Sequence, residues 1–240
     1  MFTWSIATQF AQQWSSYAIT IFTAYIPCVY GIQYLMKRKE PFQLDKPLMI
    51  WNSLLSVSSF IGFCFIINDS WNMSFMDRIT DLKIIYNGTS GIVLFLFNLS
   101  KILELVDTLF IVFRKKPLLF LHTFHHLVTG IYCWIALVYP TPLGLWYSTN
   151  NLAVHSIMYG YYVCNYYDIK IINPKYITSI QIIQMMWGII INFIYIHNVS
   201  TITNIDMFHF IYGTSMYGSY LYLFCKFYRN RYIKNYIKKK

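Results

Sequence analysis

The sequence predicts an all-α, polytopic membrane protein, and three observations carry that prediction. Of 240 residues, 57% are hydrophobic, 20% aromatic and only 12% charged, with a mean hydropathy of +0.43. A soluble domain carries about 25% charged residues and roughly 45–50% apolar ones. Apolar stretches of about 20 residues, enough for a helix to cross a bilayer core, recur seven times along the chain. The basic residues, finally, gather in alternate connections between those stretches, as membrane topology requires.

The seven expected spans are 17–36, 48–67, 91–113, 118–138, 144–163, 177–196 and 207–227. The segments between them are short and leave no room for a soluble domain, so one transmembrane domain, 1–240, is expected. Residues 1–16 contain no basic stretch of the kind that opens a cleavable signal peptide. The five cysteines (Cys28, Cys64, Cys133, Cys164, Cys225) lie in or beside apolar runs and form no CxxC pair or disulfide framework.

Charge sets the expected orientation. Lys37, Arg38, Lys39 and Lys46 follow the first span; Arg114, Lys115, Lys116, Lys170 and Lys175 fall in later loops on the same side. Lys226, Arg229, Arg231, Lys234, Lys238, Lys239 and Lys240 follow the last span, which brings sixteen of the 19 lysines and arginines to one side. Arg78 and Lys83 face the other way, and Lys101 lies within a span. Basic flanks favour the cytosol, so the N-terminus is expected to be lumenal and the C-terminus cytosolic. This rule accounts for the +10 net charge, and no nucleic-acid partner is called for. In the lumenal loop after the second span, sequons at Asn68, Asn72 and Asn87 read as coincidence in so asparagine-rich a chain.

Polar residues then mark four successive spans. His122, His125 and His126 stand at i, i+3 and i+4, one helix face. Lys101, Glu104 and Asp107 step by three in the span before, with Thr108 beside them; Asn151, His155, Tyr159 and Tyr162 run down the next. Thr178, Gln181 and Gln184 step by three in the sixth. Counted from the cytosolic ends at about 1.5 Å per residue, these groups lie roughly 6–12 Å beneath that edge. Helices of alternating direction have no reason to agree in depth, and ionisable groups within a span face a cavity or the bundle interior. One polar chamber open to the cytosol is therefore expected. The plainer reading, that these side chains are interhelical hydrogen-bonding partners and that Lys101 and Glu104 neutralise each other, competes residue by residue.

Three chemistries fit such a chamber. Imidazoles ligate metal, and a zinc held by the three box histidines with Asp107 is one reading; a diiron site, which needs several histidine boxes, fails because the chain has six histidines. A seven-span receptor that binds without turnover is another. Acyl chemistry is the third: an imidazole acts as base or nucleophile, and a carboxylate such as Asp107 orients it. Arg114, Lys115 and Lys116 suit the phosphates of a soluble handle. A phosphate handle, a reactive carbonyl and a buried chain together describe an acyl-CoA.

At these residues the sequence resembles the ELO family of very-long-chain fatty acid elongases, the membrane type of 3-ketoacyl-CoA synthase. Lys101-Ile-Leu-Glu104-Leu-Val-Asp107-Thr108 is similar to K-x-x-E-x-x-D-T, Arg114-Lys115-Lys116 to R-K-K, and His122-Thr-Phe-His125-His126 to H-x-x-H-H. Asn151 to Tyr162 is similar to N-x-x-x-H-x-x-M-Y-x-Y-Y, and Thr178 to Gln184 to T-x-x-Q-x-x-Q. The five motifs occur in order across a core of 101–184. Two departures, a shortened gap between Lys116 and His122 and Met185 after the last Gln, touch no reacting group.

The resemblance implies seven transmembrane helices around a substrate tunnel. It also implies condensation of malonyl-CoA with an acyl-CoA, giving a 3-ketoacyl-CoA, CO2 and CoA with no cofactor and no metal. His125 would be the acyl-accepting nucleophile, with His126, His122, Asp107 and His155 catalytic beside it. Lys101, Glu104, Arg114, Lys115, Lys116, Asn151, Tyr159, Tyr162, Gln181 and Gln184 would bind substrate. The expected setting is the endoplasmic reticulum membrane, with membrane lipid and other elongation-cycle enzymes as partners and a homo-oligomer left open.

Overall fold

The computed structural model describes residues 3–234, apart from the side chains of Lys83 and Ile84; the terminal Lys238, Lys239 and Lys240 lie outside the described residues. Among the described residues the chain is all helical. In order the helices are α1 (Trp4–Met36), α2 (Asp45–Ser70), α3 (Asp77–Thr80), α4 (Leu82–Ile85), α5 (Gly88–Leu103) and α6 (Val106–Phe113). α7 (Phe120–Val138), α8 (Leu143–Tyr166), α9 (Pro174–Asn198) and α10 (Asn204–Tyr228) follow, and a π-helical turn, Arg229–Ile233, closes the series. Each of the seven expected spans is helical. Four helices, α1, α2, α7 and α9, are long and apolar enough to cross a membrane. α8 and α10 have the length, 24 and 25 residues, but more polar side chains.

The expected span 91–113 differs most from expectation, because it is two helices. Between α5 and α6 the backbone bonds tighten from i−4 to i−3: Leu105 N to Ile102 O at 3.2 Å, Asp107 N to Glu104 O at 3.1 Å and Thr108 N to Leu105 O at 3.2 Å. Such 3₁₀ tightening within a helix marks a hinge or a strained segment. Here Ser100 Oγ lies 3.0 Å from Glu104 Oε1 and draws the glutamate back over the preceding turn.

The chain forms two compact units, each assembled from two stretches of sequence. The first comprises 1–48 and 82–140, the second 49–81 and 141–240. In the first, α1 packs on α6 and α7, and α5 packs on α7. Along α1 the buried residues Ala7, Ala11, Ala18, Phe22, Tyr25, Val29 and Met36 recur at helical spacing and form one stripe. Its remaining faces carry exposed Ile6, Tyr17, Ile19 and Tyr30, the pattern of a helix that is apolar all round. Gly130 of α7 admits Phe22 so closely that a Cβ there would stand 2.5 Å from Phe22 Cε1. Tyr25, Val29, Met36 and Val112 form a buried cluster beneath Leu105, Phe113 and Leu127.

In the second unit α9 packs on both α8 and α10. A Cβ at Gly188 would meet three ring atoms of Tyr217 at 2.7–2.8 Å, so glycine sets how close α9 and α10 lie. Tyr147 donates to Asn192 Oδ1, and Asn192 Nδ2 donates to Thr214 Oγ1 at 3.2 Å. These bonds satisfy polar groups that burial would otherwise leave costly. Helix starts are written locally. Asn173 accepts from Lys175 N ahead of Pro174 at the head of α9, and Thr203 with Asp206 forms a reciprocal capping box on α10.

Candidate active site

In the first unit the histidine box occupies the opening turns of α7. The rings of His122 and His126 lie with centroids 4.2 Å apart at a 44° tilt, and His125 meets His126 edge-on at 5.5 Å. His126 is buried and the other two are half-buried. Thr108, fully buried in the first turn of α6, lies 2.9 Å from His122 Nε2 and 2.7 Å from the Tyr25 hydroxyl. With the imidazole proton on Nδ1, Nε2 accepts from Thr108, whose oxygen accepts from Tyr25. A three-helix relay of α1, α6 and α7 thus holds one ring of the box. The partner at Nε2 is Thr108, while the expected orienting group, Asp107, sits one residue earlier and half-buried on α6. Among the described residues no three His, Cys, Asp or Glu side chains converge as a metal site would require.

The two charged residues of the K-x-x-E motif pair with each other. Lys101 Nζ donates to Glu104 Oε1 at 2.7 Å, both side chains are about 5–6% exposed, and the ammonium lies 4.3 Å from the centroid of the Phe97 ring. Paired with each other, and with Ser100 also bonded to Glu104, these charges are tolerated inside a span. The R-K-K cluster ends α6 and divides its tasks. Arg114 pairs with Asp45 at the start of α2. Lys115 adopts a left-handed backbone, φ 52°, where a helix C-terminus ordinarily uses glycine. Its N–H reaches Val112 O at 3.0 Å while that of Lys116 reaches Ile111 O at 2.9 Å, the bond pair of a Schellman turn. Lys115 Nζ then donates to Lys39 O at 2.9 Å and Lys37 O at 3.4 Å, the free carbonyls past the end of α1. Phe42 N donates to Phe113 O at 3.0 Å and its ring meets Phe113 edge-on. Lys116 is exposed.

In the second unit α8 carries Asn151, His155 and Tyr159, all buried, on one face. Asn151 Nδ2 and His155 Nε2 lie 3.1 Å apart, and the rings of His155 and Tyr159 meet edge-on at 5.3 Å. Tyr162, next on the stripe, is exposed. Gln184 of α9 is buried; Gln181 donates towards Met158 Sδ at 3.2 Å. Thr178 lies 3.3 Å from the hydroxyl of Tyr232 in the π-turn. His209 is fully buried in α10, whereas His197 is exposed.

Tyr25, Ser100, Asp45 and Tyr232 were not marked by any motif. Tyr25 meets Thr108 across 83 positions and Arg114 meets Asp45 across 69, so no local spacing announces either pair. Only Ser100, four residues before Glu104, was legible in principle.

Comparison with known proteins places these motifs in a lineage. Residues 10–240 match the ELO: GNS1/SUR4 family. A very long chain fatty acid elongase 4 of Trypanosoma cruzi is 37% identical over 228 residues, covering 89% of this chain and 79% of the relative. A very long chain fatty acid elongase 3 of Mus musculus is 32% identical, covering 93% and 84%. A very long chain fatty acid elongase 6 of Drosophila melanogaster is 34% identical, covering 87% and 70%. With a match over nearly its whole length and apolar helices long enough to cross a bilayer, the chain belongs to the ELO (GNS1/SUR4) family and is a multi-pass membrane protein.

Proposed function

We propose that this chain is the condensing enzyme of fatty acid elongation, joining malonyl-CoA to a long-chain acyl-CoA. The observation that carries the reading is the close-packed histidine box. Three imidazoles share the start of one apolar helix, one of them fixed by a buried hydroxyl relay, in a chain whose relatives are named elongases. A nucleophilic imidazole needs no redox cofactor and no metal, and the family's R-K-K cations are the natural ligands of CoA phosphates.

The chemistry runs in two halves. A ring nitrogen of His125 attacks the thioester carbonyl, the C–S bond breaks, and CoA leaves as the thiol after taking a proton. Malonyl-CoA then loses CO2, its enolate carbon attacks the acyl-imidazole, and the C–N bond breaks to return free His125 and a 3-ketoacyl-CoA. His126, edge-on to His125, and His122, held by Thr108, handle the protons, with Asp107 supporting the imidazolium forms. His155 and Asn151 stabilise developing negative charge, and Tyr159, Tyr162, Gln181 and Gln184 position the acyl-CoA. Lys101 and Glu104 act on the substrate through the local field of their pair. The setting is the endoplasmic reticulum membrane with the C-terminus cytosolic.

The test is purified protein with carboxyl-labelled malonyl-CoA and a panel of acyl-CoAs. Acyl-dependent release of labelled CO2, abolished in His125→Ala, is the expected result. Acyl-CoA alone then leaves an acyl group on His125 detectable by peptide mass. Release without any adduct would make His125 a base in a ternary complex, and absence of release would overturn the assignment.

A further inference from the structure

The three cations of the R-K-K cluster do not stand alike. Lys115 is committed: its left-handed backbone and its bonds to Lys37 O and Lys39 O fasten the loop after α1. Lys116 is open to solvent. Arg114, with its side chain 24% exposed, already holds an anion, the carboxylate of Asp45. That carboxylate is itself 62% exposed, so it remains well hydrated and the pair gains little from association. In the same unit the stretch that leads to Asp45 carries Lys37, Arg38 and Lys39 with Lys46 just after it, Lys115 and Lys116 follow Arg114, and Glu40 is the other acid of the stretch. A phosphate arriving there meets a strongly positive field and offers a guanidinium two oxygens and up to two charges where Asp45 offers one charge.

We propose that Asp45 is a built-in competitor for the anion site of Arg114, displaced when a phosphate group of the CoA handle binds. The inference rests on the reading of the chain as an acyl-CoA enzyme, but its physical core is narrower: a phosphate that binds Arg114 bidentately through Nη2 competes with Asp45 Oδ1 for that nitrogen. Asp45 thereby acts as a specificity residue. It leaves the site closed to weak singly charged anions and open to those that carry more charge. Displacement also releases the first turn of α2 from α6, while the Lys115 bonds and the Phe42–Phe113 contact keep the loop in place.

The experiment measures binding of adenosine 3′,5′-bisphosphate and of inorganic pyrophosphate to the full chain in nanodiscs, by calorimetry at low salt. Asp45→Asn is expected to bind both about 2–5-fold more tightly than the unaltered chain. The gain vanishes in an Arg114→Gln background and shrinks as salt is raised. Asp45→Ser, which removes the charge with a different side chain, must agree with Asp45→Asn; size-exclusion and thermal unfolding check that each variant is folded. Equal or weaker binding in the folded Asp45 variants would overturn the proposal, as would absence of binding to the unaltered chain. Failure of the enzymatic reading is told apart by the labelled CO2 assay: tighter binding of pyrophosphate without CO2 release leaves the competitor standing and removes its substrate.

Discussion

At the scale of single residues, the arrangement around His122 and Lys115 makes claims that one substitution each can test. Thr108→Val keeps volume and removes the hydroxyl that bridges His122 Nε2 and Tyr25. Loss of a positioning hydrogen bond worth about 1.5 kcal/mol predicts about a tenfold fall in kcat with KM little changed, and a smaller fall for Tyr25→Phe. Steady-state kinetics on the labelled assay checks both. Lys115 separates backbone from charge. Lys115→Gly fits φ 52° without strain and loses the cap on α1, so thermal stability should change by less than about 1 kcal/mol. Lys115→Ile places a β-branched side chain in the same left-handed turn and should cost about 1–2 kcal/mol. Chemical denaturation of the pair gives the comparison. The spacing of the histidines at 122, 125 and 126 is enough to announce a shared face, because the helical period is a local property. The Thr108 and Tyr25 partners did not announce themselves, since a hydroxyl among 22 tyrosines carries no mark of what it touches 83 residues away.

At the scale of elements, one helix contact and one helix start carry the weight. Gly188→Ala would press a Cβ into the flank of the Tyr217 ring at 2.7 Å, where the side chain has no flexible end to yield. Destabilisation of about 1–3 kcal/mol is expected, read as a lower unfolding midpoint. The start of α10 lies ahead of the expected span 207–227. Burial raises the Asp206 pKa, but hydrogen bonds from Thr203 and Tyr195 outweigh it and leave the carboxyl below its ordinary range. The sign follows. A carboxyl more acidic in the folded state stabilises fully above its unfolded pKa, and that contribution is lost as pH falls through the folded value. Asp206→Asn should therefore lower the unfolding midpoint at pH 7, with the difference from the unaltered chain closing on acidification below the usual carboxylate range. The expected spans opened at 177 and 207, after the starts that Asn173 and Thr203 cap, and the break at Glu104 went equally unmarked. Hydropathy reports which residues avoid water and is blind to a shift of backbone bonds from i−4 to i−3.

At the scale of the whole molecule, charge asymmetry predicts that a C-terminal tag is cleaved by protease added to intact microsomes, while a tag at the N-terminus is protected. The reverse pattern would invert the orientation argued from sixteen of the 19 basic residues. Helical class, membrane character and the ordered motifs followed from composition and short-range period. Both depend on neighbours within a few positions, so a linear string contains them. Long-range proximity decided the rest. It divided the motif residues into a hydroxyl-held imidazole on α7, a self-neutralised Lys101–Glu104 pair and an Arg114 already occupied by Asp45. Which side chain answers which is set by packing across dozens of residues, and neither hydropathy nor spacing encodes it.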